Sequence, residues 1–231
     1  MSMELYWGSG SSFAWRVMLA LEVKKLPYES HLLEFSKKQH KSADYLKLNP
    51  RGLVPTLKDG QFALGESLAI IAYLDKKQPE PPLLGRSAAE TALVWRGISE
   101  AISYLDPAAI RVAGPIFFGT AAEKGDDVRA AAKQVHDELA RMEQRLKAAS
   151  WLAVDSLSAA DIVAYPTVEI LLRAAGKEAA KPFDLGLLPF ADRYPATAAW
   201  RERVRALPGY DKTYPPHWRQ ADTARPSAAA S

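Results

Sequence analysis

The run Gln78-Pro79-Glu80-Pro81-Pro82 constrains this chain more than any other stretch. Its prolines remove backbone donors and fix φ, so neither a helix nor a central strand can pass through it. The sequence follows different periods on its two sides. Before it, Met3 to Trp7 alternates as a strand, and Ser12 to Lys24 repeats apolar residues at helical spacing through Phe13, Val17 and Leu21. Tyr28 to Leu33 reads as a second strand and Ser42 to Leu48 as a short helix stopped by Asn49-Pro50-Arg51-Gly52. Val54 to Leu57 and Phe62 to Leu64 form a pair of strands around an Asp59-Gly60 turn, and Ser67 to Lys77 is a helix. The order β-α-β-α-β-β-α makes the first crossover parallel and the last pair antiparallel, which predicts a mixed four-stranded sheet with helices on both faces. After the break the helical period holds over Ser87 to Ile110, Asp126 to Ala148, Ser158 to Ala174 and Pro195 to Ala206. The spacing therefore predicts an α/β domain over 1–78, a linker over 79–86, an all-α domain over 87–220 and a flexible Ala/Ser/Thr-rich tail over 221–231.

Composition removes whole classes of chemistry. There is no Cys among the 231 residues, so disulfides, zinc thiolates and thiol nucleophiles of the chain's own are excluded, and any thiol must arrive with a ligand. The charge of +3 is spread along the sequence and forms no basic face, which argues against a nucleic-acid partner. No apolar run approaches the ~20 residues of a membrane span, and the N-terminus lacks a secretory pattern, so a cytoplasmic protein with no membrane partner is expected. The four His, at 31, 40, 136 and 217, are scattered, and no metal site is expected. Gly8-Ser9-Gly10 lacks the third glycine of a dinucleotide loop, and Walker, HExxH and GxSxG patterns do not occur.

Three local patterns remain. Pro55 in Leu53-Val54-Pro55-Thr56-Leu57 stands at a strand entrance, where a cis or a trans bond could serve. Gly65-Glu66-Ser67-Leu68-Ala69-Ile70 places an acid and a hydroxyl at a helix start; they could cap it, or bind the α-amine and α-carboxylate of an amino-acid ligand at the free N–H groups. Ser158-Ala159-Ala160-Asp161 has the spacing of a capping box before an apolar helix, and Asp161 is read as structural.

Together, Ser11/Ser12, Val54-Pro55-Thr56-Leu57 and Glu66-Ser67-Leu68-Ala69-Ile70 resemble the cytosolic glutathione transferases, specifically their serine-type, theta- and zeta-like bacterial members. The Ser158–Asp161 box, Tyr194-Pro195 and the segment from Trp200 to Pro208 extend the resemblance over about residues 3 to 210. It implies a thioredoxin-like first domain, glutathione as co-substrate and a cis Pro55. Val54 would pair with the cysteinyl backbone, and Glu66 and Ser67 would hold the γ-glutamyl end. His40 and Lys41 look like the glycine-carboxylate loop, although an exposed basic pair before a helix is the plain alternative. Leu53 stands where the family often has Lys or Gln, a contact that Arg51 could supply.

The chemistry then follows. A thiol with pKa about 8.5 is only slightly ionised at neutral pH, and lowering it by two units takes about 2.7 kcal/mol. A charge-assisted hydrogen bond of roughly 1.5–3 kcal/mol and a helix N-terminus of roughly 0.3–1 kcal/mol suffice. Ser11 matches the thiol-activating serine of the family's S-x-F-x-x-R-V stretch, Ser12 is expected to cap the helix, and the glycines leave the register uncertain by one residue. Tyr104, Ile110, Phe117 and Phe118 are candidates for an apolar electrophile wall between the domains, or else for core. The resemblance implies a glutathione S-transferase of detoxification type that works as a homodimer. A haloalkane dehalogenase, a zeta-like isomerase and a non-catalytic scaffold are the alternatives; Phe13, where the isomerases carry Cys, weighs against the isomerase.

Overall fold

The computed structural model describes residues 2–223, with side-chain surroundings described through residue 219. Two compact units emerge: the chain up to Pro81 together with the segment from Pro208 onward, and Pro82–Leu207. Residues 208–220, expected in the helical domain, group with the first unit instead.

In the first unit β1 (Met3–Trp7), α1 (Ser12–Val23), β2 (Tyr28–Leu32), α2 (Ala43–Leu48), β3 (Thr56–Asp59), β4 (Phe62–Leu64) and α3 (Ser67–Lys77) follow in order. The sheet runs β2-β1-β3-β4, with β1 parallel to β2 and antiparallel to β3, and β3 antiparallel to β4. The mixed topology is the one the element order predicts. Alternation sorts β1: Met3, Leu5 and Trp7 are buried, while Glu4 and Tyr6 turn to the other face, where the ring of Tyr45 from α2 approaches Tyr6. Full burial of Leu5 or Leu57 contributes about 1.5–3 kcal/mol each. Strand β3 begins at Thr56 rather than Val54, and the Val54–Pro55 bond before it is cis. Lys24 ends α1 with a fully buried ammonium that meets Asp75 at 2.5 Å and the carbonyls of Gln78 at 2.7 Å and Pro81 at 2.5 Å. That cage ties α1 and α3 to the proline-rich break.

The second unit contains α4 (Ala88–Glu100), a π-helical turn (Ala101–Leu105), α5 (Asp106–Phe118), α6 (Gly125–Ala148), α7 (Ala159–Ala175), a 3-10 segment (Glu178–Phe183), α8 (Phe190–Arg193) and α9 (Pro195–Arg205). The single helix expected from Ser87 to Ile110 is thus interrupted. Pro107 has no N–H and its ring would strike the carbonyl four residues earlier, which a widened turn before it relieves. The chain ends its described part with α10 (Tyr210–Thr213) and α11 (Pro216–Thr223), which belong to the first unit. Of the expected tail over 221–231, residues 221–223 finish α11 and the rest lies outside the described residues.

Candidate functional site

Strand register decides which loops meet. The β1–β3 ladder pairs Glu4 with Lys58 and ends at Tyr6 with Thr56, so the chain leaving β1 toward α1 and the chain entering β3 from Pro55 lie at the same end of the sheet. The β3–β4 ladder ends at Leu57 with Leu64, so the chain leaving β4 toward α3 starts from that end too. The starts of α1 and α3 and the cis Val54–Pro55 bond therefore share one end of the sheet's strands, the cis-proline edge of the first unit.

At α1 the capping part expected of Ser12 falls to Ser11. Ser11 is the N-cap, with extended backbone at φ −76 and ψ 116, and its Oγ accepts from the Ala14 N–H at 3.3 Å. Ser12, the expected cap, is the first helical residue. The cause is the preceding turn: Gly10 has φ +87, and the Ser11 N–H donates to the Gly8 carbonyl at 3.1 Å, which brings the chain into the helix one residue earlier. Accepting a hydrogen bond leaves the Ser11 O–H free to donate, so capping and thiol activation are compatible at one hydroxyl.

At α3 the acid and the hydroxyl do not cap. Glu66 is the N-cap residue, yet its side chain makes no cap hydrogen bond; it sits at φ +64, a region that side-chain-bearing residues rarely occupy, with its carboxylate exposed. Ser67 is buried. A helix without a side-chain cap presents its first N–H groups to whatever lies beyond, which favours an anion. Arg51 approaches Glu66 at 3.7 Å, an exposed pair of little stabilising weight.

Between these ends, Leu53 contributes its carbonyl rather than its side chain. The carbonyl accepts from the Tyr45 hydroxyl at 2.6 Å and from Asn49 Nδ2 at 2.9 Å, while the side chain is 56% exposed. Tyr45 and Asn49 also reach Thr56 Oγ1, so the pair holds the loop before Pro55 from both sides. Burial pushes the Tyr45 hydroxyl above its ordinary range, against the pull of Thr56 and Asn49, which keeps it a donor. Sequence reasoning missed both residues; the signal was Asn49 before a proline and Tyr45 on the buried face of α2. His40 and Lys41 lie in a 3-10 turn (Gln39–Lys41), where Lys41 Nζ donates to the Arg51 carbonyl at 3.2 Å. His40 Nδ1 is buried with no hydrogen-bond partner, and its ring meets Phe35 edge-on at 5.1 Å. Lys41, Arg51 and Glu66 thus chain the third loop to the other two.

In the second unit, Tyr104, Ile110, Phe117 and Phe118 are all exposed, from 40% at Phe117 to 84% at Phe118, so core is excluded for them. Ser158 and Asp161 form the expected box. Buried Asp161 accepts from Ser158 N–H and Oγ, both at 3.0 Å, from Leu152 N–H at 2.8 Å and from Trp200 Nε1 at 2.9 Å. Burial pushes its carboxyl above the usual carboxylate range, against the pull of the four donors. No helix among the described residues is long and apolar enough to cross a membrane.

A thioredoxin-like sheet whose cis-proline edge collects a serine-bearing helix start and an uncapped helix start, followed by a helical unit, defines a recognisable class. The family model described as glutathione S-transferase, N-terminal domain, matches residues 10–77, and the one described as its C-terminal domain matches residues 105–208. Glutathione S-transferase A of Pleuronectes platessa is 33% identical, over 94% of this chain and 92% of that protein. The crystal structure of a glutathione S-transferase from the Antarctic clam Laternula elliptica superposes with a TM-score of 0.81 at 31% identity, over 95% of each chain. A probable maleylacetoacetate isomerase of Vibrio cholerae is 45% identical over 39% of this chain and 43% of its own length. The chain belongs to the glutathione S-transferase family of enzymes.

Proposed function

We propose that this protein binds glutathione along the cis-proline edge, ionises its thiol with the Ser11 hydroxyl, and transfers it to an apolar electrophile. The observation that carries the reading is the convergence of a capped helix start whose hydroxyl keeps its proton with a second helix start that lacks a cap. The uncapped N–H groups at Ser67 suit the γ-glutamyl carboxylate and the Glu66 carboxylate suits its ammonium. Val54, which precedes the ladder, has main-chain groups for the cysteinyl backbone, with Pro55 holding its direction. His40 and Lys41 suit the glycine carboxylate. The exposed aromatics Tyr104, Phe117 and Phe118, with Ile110, offer apolar surface for the electrophile. A cytoplasmic location fits this chemistry.

The test is the ultraviolet absorbance of bound thiolate at neutral pH. Wild type is expected to show it, and Ser11→Ala to lose most of it while still binding glutathione. Ser11→Ala should also cost about 1 kcal/mol of stability, since the same hydroxyl caps α1. Full thiolate in Ser11→Ala with loss in Ser12→Ala assigns the chemistry to Ser12; no loss in either overturns hydroxyl activation. A second reading, glutathione-dependent isomerisation of a dicarbonyl, is favoured by the likeness to the Vibrio cholerae protein over residues of this chain. Turnover of a cis dicarbonyl without consumption of glutathione, and none of a haloaromatic, would select it.

A further inference from the structure

The turn that carries Ser11 is held from the far end of the sequence. The His217 Nδ1 atom lies 2.6 Å from Ser9 Oγ, and a Cβ on Gly10 would come within 3.0 Å of the same imidazole. The contact is anchored by an aromatic cluster. Trp15 of α1 donates its indole N–H to Thr213 Oγ1 at 2.9 Å and meets the rings of Tyr210, Tyr214 and Trp218 at 5.4–6.3 Å. Trp15 is nearly fully buried, so α10 and α11 are packed onto α1 rather than laid loosely across it. Neighbouring Trp218 is fixed in turn against Tyr214, and its ring flanks His217.

We propose that His217 is a positioning residue of the thiol site, acting through Ser9 to couple the protonation of an imidazole to the ionisation of the bound thiol. This rests on the reading that glutathione is activated at the start of α1. The bond between Ser9 and His217 has two directions. With Nδ1 unprotonated, the Ser9 hydroxyl donates to the ring and its proton is spent there. With the ring doubly protonated, Nδ1–H donates to Ser9 Oγ and the Ser9 proton turns outward to an anion at the helix start. When the S–H bond breaks, its electron pair stays on sulfur and the proton passes to the imidazole, so the net charge of the site is unchanged. The thiolate and the imidazolium then favour each other, and the proton returns to solvent once sulfur has reacted. The elements around His217 carry Arg16 and Glu22 on α1, and Asp211, Lys212 and Arg219 on the C-terminal segment. Of these, Lys212 pairs with Glu22 at 3.2 Å and Arg219 donates to the Asp211 carbonyl.

His217→Gln keeps a hydrogen-bonding side chain but cannot gain a proton near neutrality. Thiolate absorbance of bound glutathione is followed against pH in wild type, His217→Gln, Ser9→Ala and the double variant, beside calorimetric binding of S-methylglutathione, which has no S–H. The expected result is near-wild-type affinity for S-methylglutathione in all four. The ionisation midpoint should rise by about one pH unit in each single variant, with no further rise in the double, because both remove one coupling. The corresponding kcat/KM below the midpoint falls about tenfold. An unchanged midpoint in His217→Gln, or in Ser9→Ala should the first variant not fold, overturns the proposal while leaving thiol activation intact. A wild type that binds no glutathione, or shows no thiolate at any pH, overturns the activation reading and this coupling with it.

Discussion

A carboxylate with four donors and no access to water holds its place through those hydrogen bonds. Asp161 gathers two backbone N–H groups, a hydroxyl and the Trp200 indole, and so fixes the start of α7 and the packing of α9 on it. Asp161→Asn keeps the shape but turns an amide N–H₂ toward at least one of those donors, leaving buried groups unpaired at a cost of about 3 kcal/mol. A fall in Tm of roughly 6–12 °C is expected for a chain of this size, measured by calorimetry at pH 7. An unchanged Tm would mean the box contributes nothing beyond local geometry. This box was legible in the sequence because its partners are three residues apart. The roles of Ser11 and Ser12 were less so, since the choice between them depends on the φ of Gly10, which a glycine's identity permits but does not specify. The left-handed backbone of Glu66 had no sequence signal at all: an acid before a hydroxyl at a helix start reads as a cap, and only the structure has it uncapped.

Elements dock by the same means. Helix α9 starts against α6, where buried Glu143 accepts from Ala196 N–H at 3.0 Å and from Thr197 N–H and Oγ1, both at 2.8 Å. Burial alone would raise this carboxyl, but these three hydrogen bonds hold it below the usual carboxylate range. A group whose folded value is depressed stabilises the fold fully above its unfolded value and loses that contribution as pH falls through the folded one. Glu143→Gln should therefore be less stable by about 1–3 kcal/mol at pH 7. The gap between variant and wild type should narrow only as pH falls through that depressed folded value, below the usual carboxylate range, where Glu143 gains its proton. Chemical denaturation at pH 7 and pH 3 checks this; a constant gap would mean that charge is not what caps α9. Strands and long helices were legible because period alone identifies them, from Met3–Trp7 to Gly125–Ala148. The π-helical turn at Ala101–Leu105 was not, since Pro107 predicts a disturbance without saying whether the helix ends or widens. Tyr210–Thr213 and Pro216–Thr223 are too short for periodicity to register.

At the scale of the whole chain, local pattern says little about which unit an element joins. The segment from Pro208 follows a run of helices in sequence yet packs with the first unit, and the reason is Trp15, whose bulk on α1 needs a cover that Tyr210, Tyr214 and Trp218 supply. The same reasoning applies to large apolar side chains that the single chain covers only in part. Phe62, on the edge strand β4 of the first unit, is 48% exposed, and Trp95, on α4 of the second, is 41% exposed. Half-exposed aromatics on both units offer apolar surface to a partner, and a closed two-fold assembly buries it by using each surface once per subunit. We therefore expect a homodimer in which the first unit of one subunit meets the second unit of the other. Sedimentation at micromolar concentration should give the mass of two chains. Phe62→Glu and Trp95→Glu should each raise the dimer dissociation constant at least about tenfold, since either puts a carboxylate into a desolvated contact. Both variants should still bind glutathione as isolated subunits, because neither residue belongs to the cis-proline edge. A wild type that stays monomeric at tens of micromolar, or two variants that dimerise as wild type does, would overturn the assignment of these two aromatics to a subunit interface.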